Sequence, residues 1–200
     1  MLDFSKDYIL ENDTVRLSPL RKEHIKELSV QSNDSFIWNY LIEEGKSFLQ
    51  LQKYIYHALD NRKAAKEYPF VVYDKTKKAF AGTTRLYDYS EQLKVIKLGH
   101  TWYGKDFRGT MVNKNSKYLL LEFIFENLNL ERVGFGVHEE NKISIAALQS
   151  LGCTREGVLR NFIPSLDGEG RTDIVLFSIL KSEWLTFIKT ELRNKLHIKA

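Results

Sequence analysis

The stretch Tyr103-Gly104-Lys105-Asp106-Phe107-Arg108-Gly109-Thr110-Met111-Val112-Asn113 holds the most informative chemistry of this chain, because a strand pattern ends there, a loop turns and a helical pattern begins. A helix N-terminus presents unpaired backbone N–H groups and partial positive charge, which makes it a ready anion site. Gly109 lets the backbone approach a ligand, and Arg108 and Lys105 add positive charge, so phosphate is the expected anion. On its own, an Arg-Gly pair before a helix is more often only a turn and a cap. The spacing is too short for a Walker loop and no Gly-x-Gly-x-x-Gly fingerprint occurs, which argues against ATP and NAD. Cys153 has no His near it in sequence and reads as core packing rather than as a nucleophile. His24, His57, His138 and His197 lack metal-ligand spacing, so no metal site is expected.

The elements that must position these residues follow from periodicity. Residues 15–20 alternate apolar and polar side chains before a turn, the mark of a short strand. Residues 22–32 carry Ile25, Leu28 and Val30 on one side, and residues 47–65 carry Phe48, Leu51, Tyr54, Ile55 and Ala58 at helical spacing. Two early helices are therefore predicted, around an irregular or briefly helical segment at 33–46. Strands at 69–73, 79–87 and 94–103, joined by short turns, predict an antiparallel meander. A helix at 113–127 follows, apolar enough over 118–125 to be buried on more than one side. Then come a strand at 133–137, a helix at 143–151, and strands at 157–162 and 173–180. Ser182 is placed to cap a last helix whose stripe of Trp184, Leu185, Ile188 and Leu192 closes the core in preference to supporting a homodimer. A strand-helix-strand unit inside an otherwise antiparallel sheet predicts an α/β (α+β) fold, with a mixed, mostly antiparallel sheet flanked by helices.

The chain has 200 residues. At about 150 per domain, one domain spanning 1–200 is expected. With 43% hydrophobic and 28% charged residues, the chain reads as globular, which excludes disordered, collagenous and coiled-coil classes. No run reaches membrane-spanning length, and the opening residues are too acidic for a signal peptide. The single cysteine permits no internal disulfide, so a reducing cytoplasm is the expected setting. A net charge of +4 permits an anionic ligand, but the basic residues are scattered rather than gathered in a stripe, so no nucleic-acid partner is expected.

Residues 94–180 resemble the GNAT superfamily of acetyl-CoA-dependent N-acetyltransferases, specifically the branch with the ribosomal-protein N-terminal acetyltransferases. Three landmarks stand in order. Leu98-Gly99-His100-Thr101-Trp102 leads to Phe107-Arg108-Gly109-Thr110 and a Leu-rich helix. Arg132-Val133 precedes Asn141-Lys142-Ile143-Ser144, and Leu151-Gly152-Cys153 precedes Glu156-Gly157-Val158-Leu159-Arg160. The resemblance implies acetyl-CoA as cosubstrate. Its pantetheine arm would lie along the strand edge Thr101, Trp102 and Tyr103. Its pyrophosphate would lie on the loop Arg108, Gly109, Thr110, Met111, Val112 and Asn113, with further contacts at Asn141 and Ser144. The family's loop carries Gly and then Gly or Ala where this chain has Met111 and Asn113, and those larger side chains would crowd the phosphates.

The same resemblance makes the Tyr103 amide the donor that polarises the thioester carbonyl. It implies a primary amine as acceptor, on a small molecule or a protein N-terminus, attacking directly in a ternary complex. Many relatives place a Glu near Lys97 and a Tyr near Ala147 as base and acid, and this chain has neither. His100, with its ordinary pKa near neutrality, is the substitute base, and the plain alternative is a half-buried strand histidine. Ser144 either donates to the leaving thiolate or caps the helix beginning there. Met111, Asn113 and the missing acid and base leave a coenzyme-binding sensor without turnover as the first competing reading, with a nucleic-acid or ribosome-binding module ranked below it.

Overall fold

The computed structural model describes residues 1–41, 43–165 and 168–197. Eight strands form one sheet: β1 (Leu10–Glu11), β2 (Val15–Pro19), β3 (Glu67–Asp74), β4 (Ala79–Ser90), β5 (Val95–Tyr103), β6 (Arg132–His138), β7 (Thr154–Pro164) and β8 (Arg171–Leu180). Their order is β1-β2-β3-β4-β5-β6-β8-β7. Every neighbouring pair is antiparallel except β5 and β6. That exception has a cause: the chain from Tyr103 to Arg132 crosses over through a helix, the connection a parallel pair requires.

Helices cover both faces: α1 (Ile25–Ser32), α2 (Ser35–Trp38), α3 (Phe48–Lys63), α4 (Met111–Glu122), α5 (Lys142–Leu151), α6 (Lys181–Glu183) and α7 (Lys189–Leu196). Side chains supply the starts. Ser47 Oγ accepts from the Gln50 amide at 3.2 Å while Gln50 Oε1 accepts from the Ser47 amide at 2.9 Å, a capping box that opens α3. Strand alternation divides the interior. Phe70, Val72 and Tyr103 face α4 in the larger core with Ile124, Phe177 and Trp184, whereas Val71 and Trp102 face α1 and α3 with Leu28, Trp38 and Leu51.

The structure corrects several expectations. Strand β1 has no apolar alternation, and its pairing with β2 is what makes it a strand. Helix α4 starts at Met111, two residues early, because Thr110 caps it, and its last turn, Phe123–Asn127, widens to a π-helix. Phe48 is 55% exposed, since the opening turn of α3 overhangs the core. Ser182 does not cap the last helical segment: helix begins at Lys181, and Glu183 reaches back to accept the Leu180 amide at 2.8 Å. Of the C-terminal stripe, Trp184, Ile188 and Leu192 are buried in the larger core, while Leu185 points outward. Among the described residues no helix is long and apolar enough to cross a membrane.

Candidate active site

Strands β5 and β6 pair only at Val95 with Arg132, Ile96 with Val133 and Lys97 with Gly134, and beyond Lys97 they part. The parting is built into β5. Thr83 lies opposite Trp102 but Arg85 lies opposite Gly99, so one extra residue is accommodated in a bulge where His100 takes φ +48°. The Gly104 amide donates to the Ala81 carbonyl at 2.9 Å. In the alternation of an antiparallel ladder, the Tyr103 amide therefore faces away from β4, into the gap left by β6. Gly82 allows the close approach of β4, since a Cβ there would lie 1.9 Å from the Trp102 carbonyl oxygen.

Tyr103 leads through a single 3-10 turn, Lys105–Phe107, to the start of α4. Gly109 has φ +71° and a Cβ there would meet nothing within 4 Å, so glycine serves the left-handed backbone and leaves open space beside the loop. Thr110 Oγ1 accepts from the Val112 amide at 3.3 Å and donates to the Phe107 carbonyl at 2.7 Å. The other first-turn amides, including those of Met111 and Asn113, lack intrahelical carbonyl partners by helix geometry. Met111 is exposed, and Asn113 Oδ1 is buried without a partner. Arg108 departs from expectation: its guanidinium pairs with Asp34 over the Phe36 ring, so its charge is largely neutralised. The Phe36 amide, and then Arg108, hold the Asp34 carboxyl below its ordinary range.

On the α3 face a polar cluster gathers behind the bulge. Arg85 is 1% exposed, with its Nη1 donating to Glu67 Oε2 at 2.9 Å, its Nη2 to Glu43 Oε2 at 3.2 Å, and its guanidinium 4.2 Å from the Tyr54 ring centre. Burial pulls the guanidinium pKa down, but Tyr54, Glu67 and Glu43 leave it above its ordinary value. His57 Nδ1 bonds Glu43. The His100 ring stands edge-on to Tyr87 at 5.2 Å. Burial and then Arg85 lower its pKa, opposed by Glu67 and Glu43. A surface hollow of about 310 Å³ opens beside the cluster, lined by Glu43, Glu44, Gln50, Lys53, Tyr54 and His57.

On the opposite face Lys117, from α4, is 7% exposed and donates to Thr101 Oγ1 at 3.2 Å. Burial lowers its pKa to about 8, and the nearby Cys153 opposes the shift. A lysine pKa depressed from 10.5 means that folding carries a cost fully present below pH 8 and relieved only as pH rises towards 10.5. Lys117→Met is therefore expected to stabilise the fold at neutral pH by on the order of 1–3 kcal/mol. Urea denaturation of both proteins at pH 7 checks this, and a less stable variant counts against the buried, unpaired cation. Cys153 is 8% exposed in the larger core and burial lifts its thiol to about 12, so it packs rather than reacts. Among the described residues no three His, Cys, Asp or Glu side chains are grouped to hold a metal ion.

A family profile described as an Acetyltransferase (GNAT) domain matches residues 14–154. The chain belongs to the GNAT acetyltransferases. An uncharacterized N-acetyltransferase p20 of Bacillus licheniformis is 38% identical over 88 residues, 44% of this chain and 45% of the relative, so the alignment spans less than half of that protein. The crystal structure of a GCN5-related N-acetyltransferase from Brucella melitensis matches with a TM-score of 0.86 at 25% identity, covering 96% of this chain and 86% of that one. Mycobacterium smegmatis RimJ in complex with CoA-disulfide shares the fold, with a TM-score of 0.77 at 18% identity and coverage of 96% and 94%.

Within this GNAT fold the sequence-chosen residues do not all converge. Thr101 and Tyr103 share the α4 side of β5, but the Trp102 indole turns to the α3 side and its Nε1 is buried without a partner. Asn141, not Ser144, caps α5: its Oδ1 accepts the Ser144 amide at 3.0 Å. The cap falls there because the helix begins at Lys142, which places Ser144 inside the first turn. Of the aromatics nearby, Trp38 is core, Tyr54 covers Arg85, Tyr87 faces His100, and Tyr40 packs on His138. Sequence reasoning missed Glu43, Glu67, Arg85 and Lys117. The signal was faint: Lys117 closes the polar stretch 113–116 just before Tyr118-Leu119-Leu120-Leu121, Arg85 stands between Thr84 and Leu86 within a strand pattern, and nothing local marks the two glutamates.

Proposed function

We propose that the chain transfers the acetyl group of acetyl-CoA to a primary amine by direct attack in a ternary complex, with no covalent enzyme intermediate. The observation that carries this is the parting of β5 from β6 beyond Lys97, with the Tyr103 amide turned into the gap and the start of α4 at its foot. The residues present fit the coenzyme. Space beside Gly109 and the first-turn amides of α4 suit a pyrophosphate, and the separated strands leave the edge from Thr101 to Tyr103 for an extended arm. Asn141 and Ser144 stand as further contacts. When bound, the coenzyme supplies an activated acyl group as a thioester. The Tyr103 amide is a fixed donor for the oxyanion that develops on its carbonyl, and His100 takes the proton from the attacking amine.

The acceptor enters from the α3 face, through the hollow lined by Glu44, Lys53 and His57 beside the Glu43–Arg85 pair. An N-terminal amine suits this site best: deprotonating it at pH 7 costs about 1 kcal/mol, against about 4–5 for a lysine side chain. A small amine and a protein N-terminus are both candidate substrates. A base behind the gap is a feature that a coenzyme sensor has no need of, so turnover is favoured over sensing. The single cysteine suits a cytoplasmic enzyme.

The decisive test is a mass-spectrometric screen of amines and peptides with acetyl-CoA, alongside calorimetric titration of the coenzyme. Tight binding with no acetylated product from any amine would overturn the proposed transfer. Thr110→Asp tests the loop. Asp retains the cap that Thr110 provides but sets a full negative charge at the α4 N-terminus. Coenzyme affinity is expected to fall about tenfold or more with folding preserved. Unchanged calorimetric affinity would remove the pyrophosphate from this loop.

A further inference from the structure

We propose that Lys117 is the acid that meets the departing coenzyme sulfur, which makes it a catalytic residue of the transfer described above. The inference rests on that reading and deepens it. Lys117 Nζ lies 3.2 Å from Thr101 Oγ1 on β5 and 5.8 Å from the centre of the Phe135 ring on β6. Both partners lie beyond Lys97 and Gly134, the last paired positions, so the ammonium spans the gap itself. An ammonium has three donors. One is used on Thr101, whose hydroxyl is tied in turn to Thr84 at 2.7 Å, and no carboxylate faces Lys117 among the described residues. A buried cation with unspent donors is costly unless something arrives to accept them.

What arrives at this place is the thioester end of the coenzyme. The candidates for protonating it are few, and Ser144 can give the sulfur a hydrogen bond but not its proton, because an aliphatic hydroxyl is a far weaker acid than a thiol. Burial lifts both the Tyr103 hydroxyl and the Cys153 thiol to about 12, which makes them poor acids at neutral pH. Lys117, at about 8, is close to an ordinary thiol near 8.5, the match that efficient proton transfer requires. The position where many relatives carry a tyrosine is Ala147 here, and Lys117 fills the missing role from a different helix.

The step balances. The acceptor nitrogen forms the new C–N bond, the C–S bond breaks, and its electron pair leaves on sulfur. Lys117 passes a proton to that sulfur and becomes a neutral amine, while His100 receives the proton shed by the acceptor. The products are the acetylated amine and the free coenzyme thiol, and exchange with water resets both side chains.

The experiment measures binding of CoA and of desulfo-CoA by calorimetry at pH 8.5, where a thiol is about half ionised. Wild type, Lys117→Met and Lys117→Arg are compared, with melting temperatures recorded for each. Wild type is expected to prefer CoA over desulfo-CoA about tenfold. Lys117→Met should lose that preference while retaining its affinity for desulfo-CoA, and Lys117→Arg should retain part of it. An undiminished preference in Lys117→Met overturns the proposal, as does an equal loss for both ligands, which marks a merely structural role. If wild type binds both ligands without discriminating, the proposal fails while the coenzyme site stands. If it binds neither, the coenzyme reading itself fails and takes this one with it.

Discussion

Arg85→Met is expected to destabilise the protein by about 3–5 kcal/mol, because it removes the cation between two carboxylates and leaves them without their partner. Glu67 is only 14% exposed at its side chain and Glu43 24%, so neither is well placed to recover its hydration. In a domain of this size the melting temperature should drop by roughly 6–20 °C. Differential scanning calorimetry at pH 7 checks the loss, and a drop of only a degree or two would mean that water already screens the cluster. The substitution carries a second consequence at lower temperature, where the variant is folded. Arg85 helps hold the His100 pKa down, so its loss should move that pKa upward.

His100→Asn is expected to lower kcat about 100-fold or more while leaving coenzyme affinity intact. Asn is the conservative probe, since it tolerates the positive φ of the bulge better than most residues and so preserves the parting of the strands. The pH profile adds a readout that a packing role would not move. His100 accepts a proton only when neutral, and burial and Arg85 place its pKa below the ordinary 6.5. The wild-type rate should therefore be flat through neutrality and fall as pH drops through that lowered value. The groups that set the limb are Arg85 and Tyr87 on β4, Glu67 on β3, Glu43 before α3 and His57 on α3. The limb should vanish in His100→Asn and shift to higher pH in Arg85→Met. An Asn variant with wild-type kcat and an unchanged acid limb would return His100 to the role of a strand residue.

The two substitutions separate what was readable along the chain from what was not. Strand and helix positions followed from alternation at 15–20 and helical spacing at 47–65, and the meander followed from short turns between residues 69 and 103. The start of α4, proposed above to receive the pyrophosphate, was legible as an amide-rich loop because its parts lie within eleven consecutive residues, although the structure gives Arg108 to Asp34 and the capping of α5 to Asn141. Ser182 was misread as a cap because a competing carboxylate three residues after Leu180 decides where the last segment begins.

Fold class and an amide-rich loop belong to the amino-acid order itself, because periodicity, capping and turn chemistry act over a few residues. The surroundings of the proposed site do not. Glu43, Glu67, Arg85 and His100 meet only because three neighbouring strands are held in one register and α3 packs across them. Lys117 reaches Thr101 only because α4 lies under the place where β5 and β6 separate. Charge placement across a sheet depends on register and on burial, and neither exists until distant segments have packed.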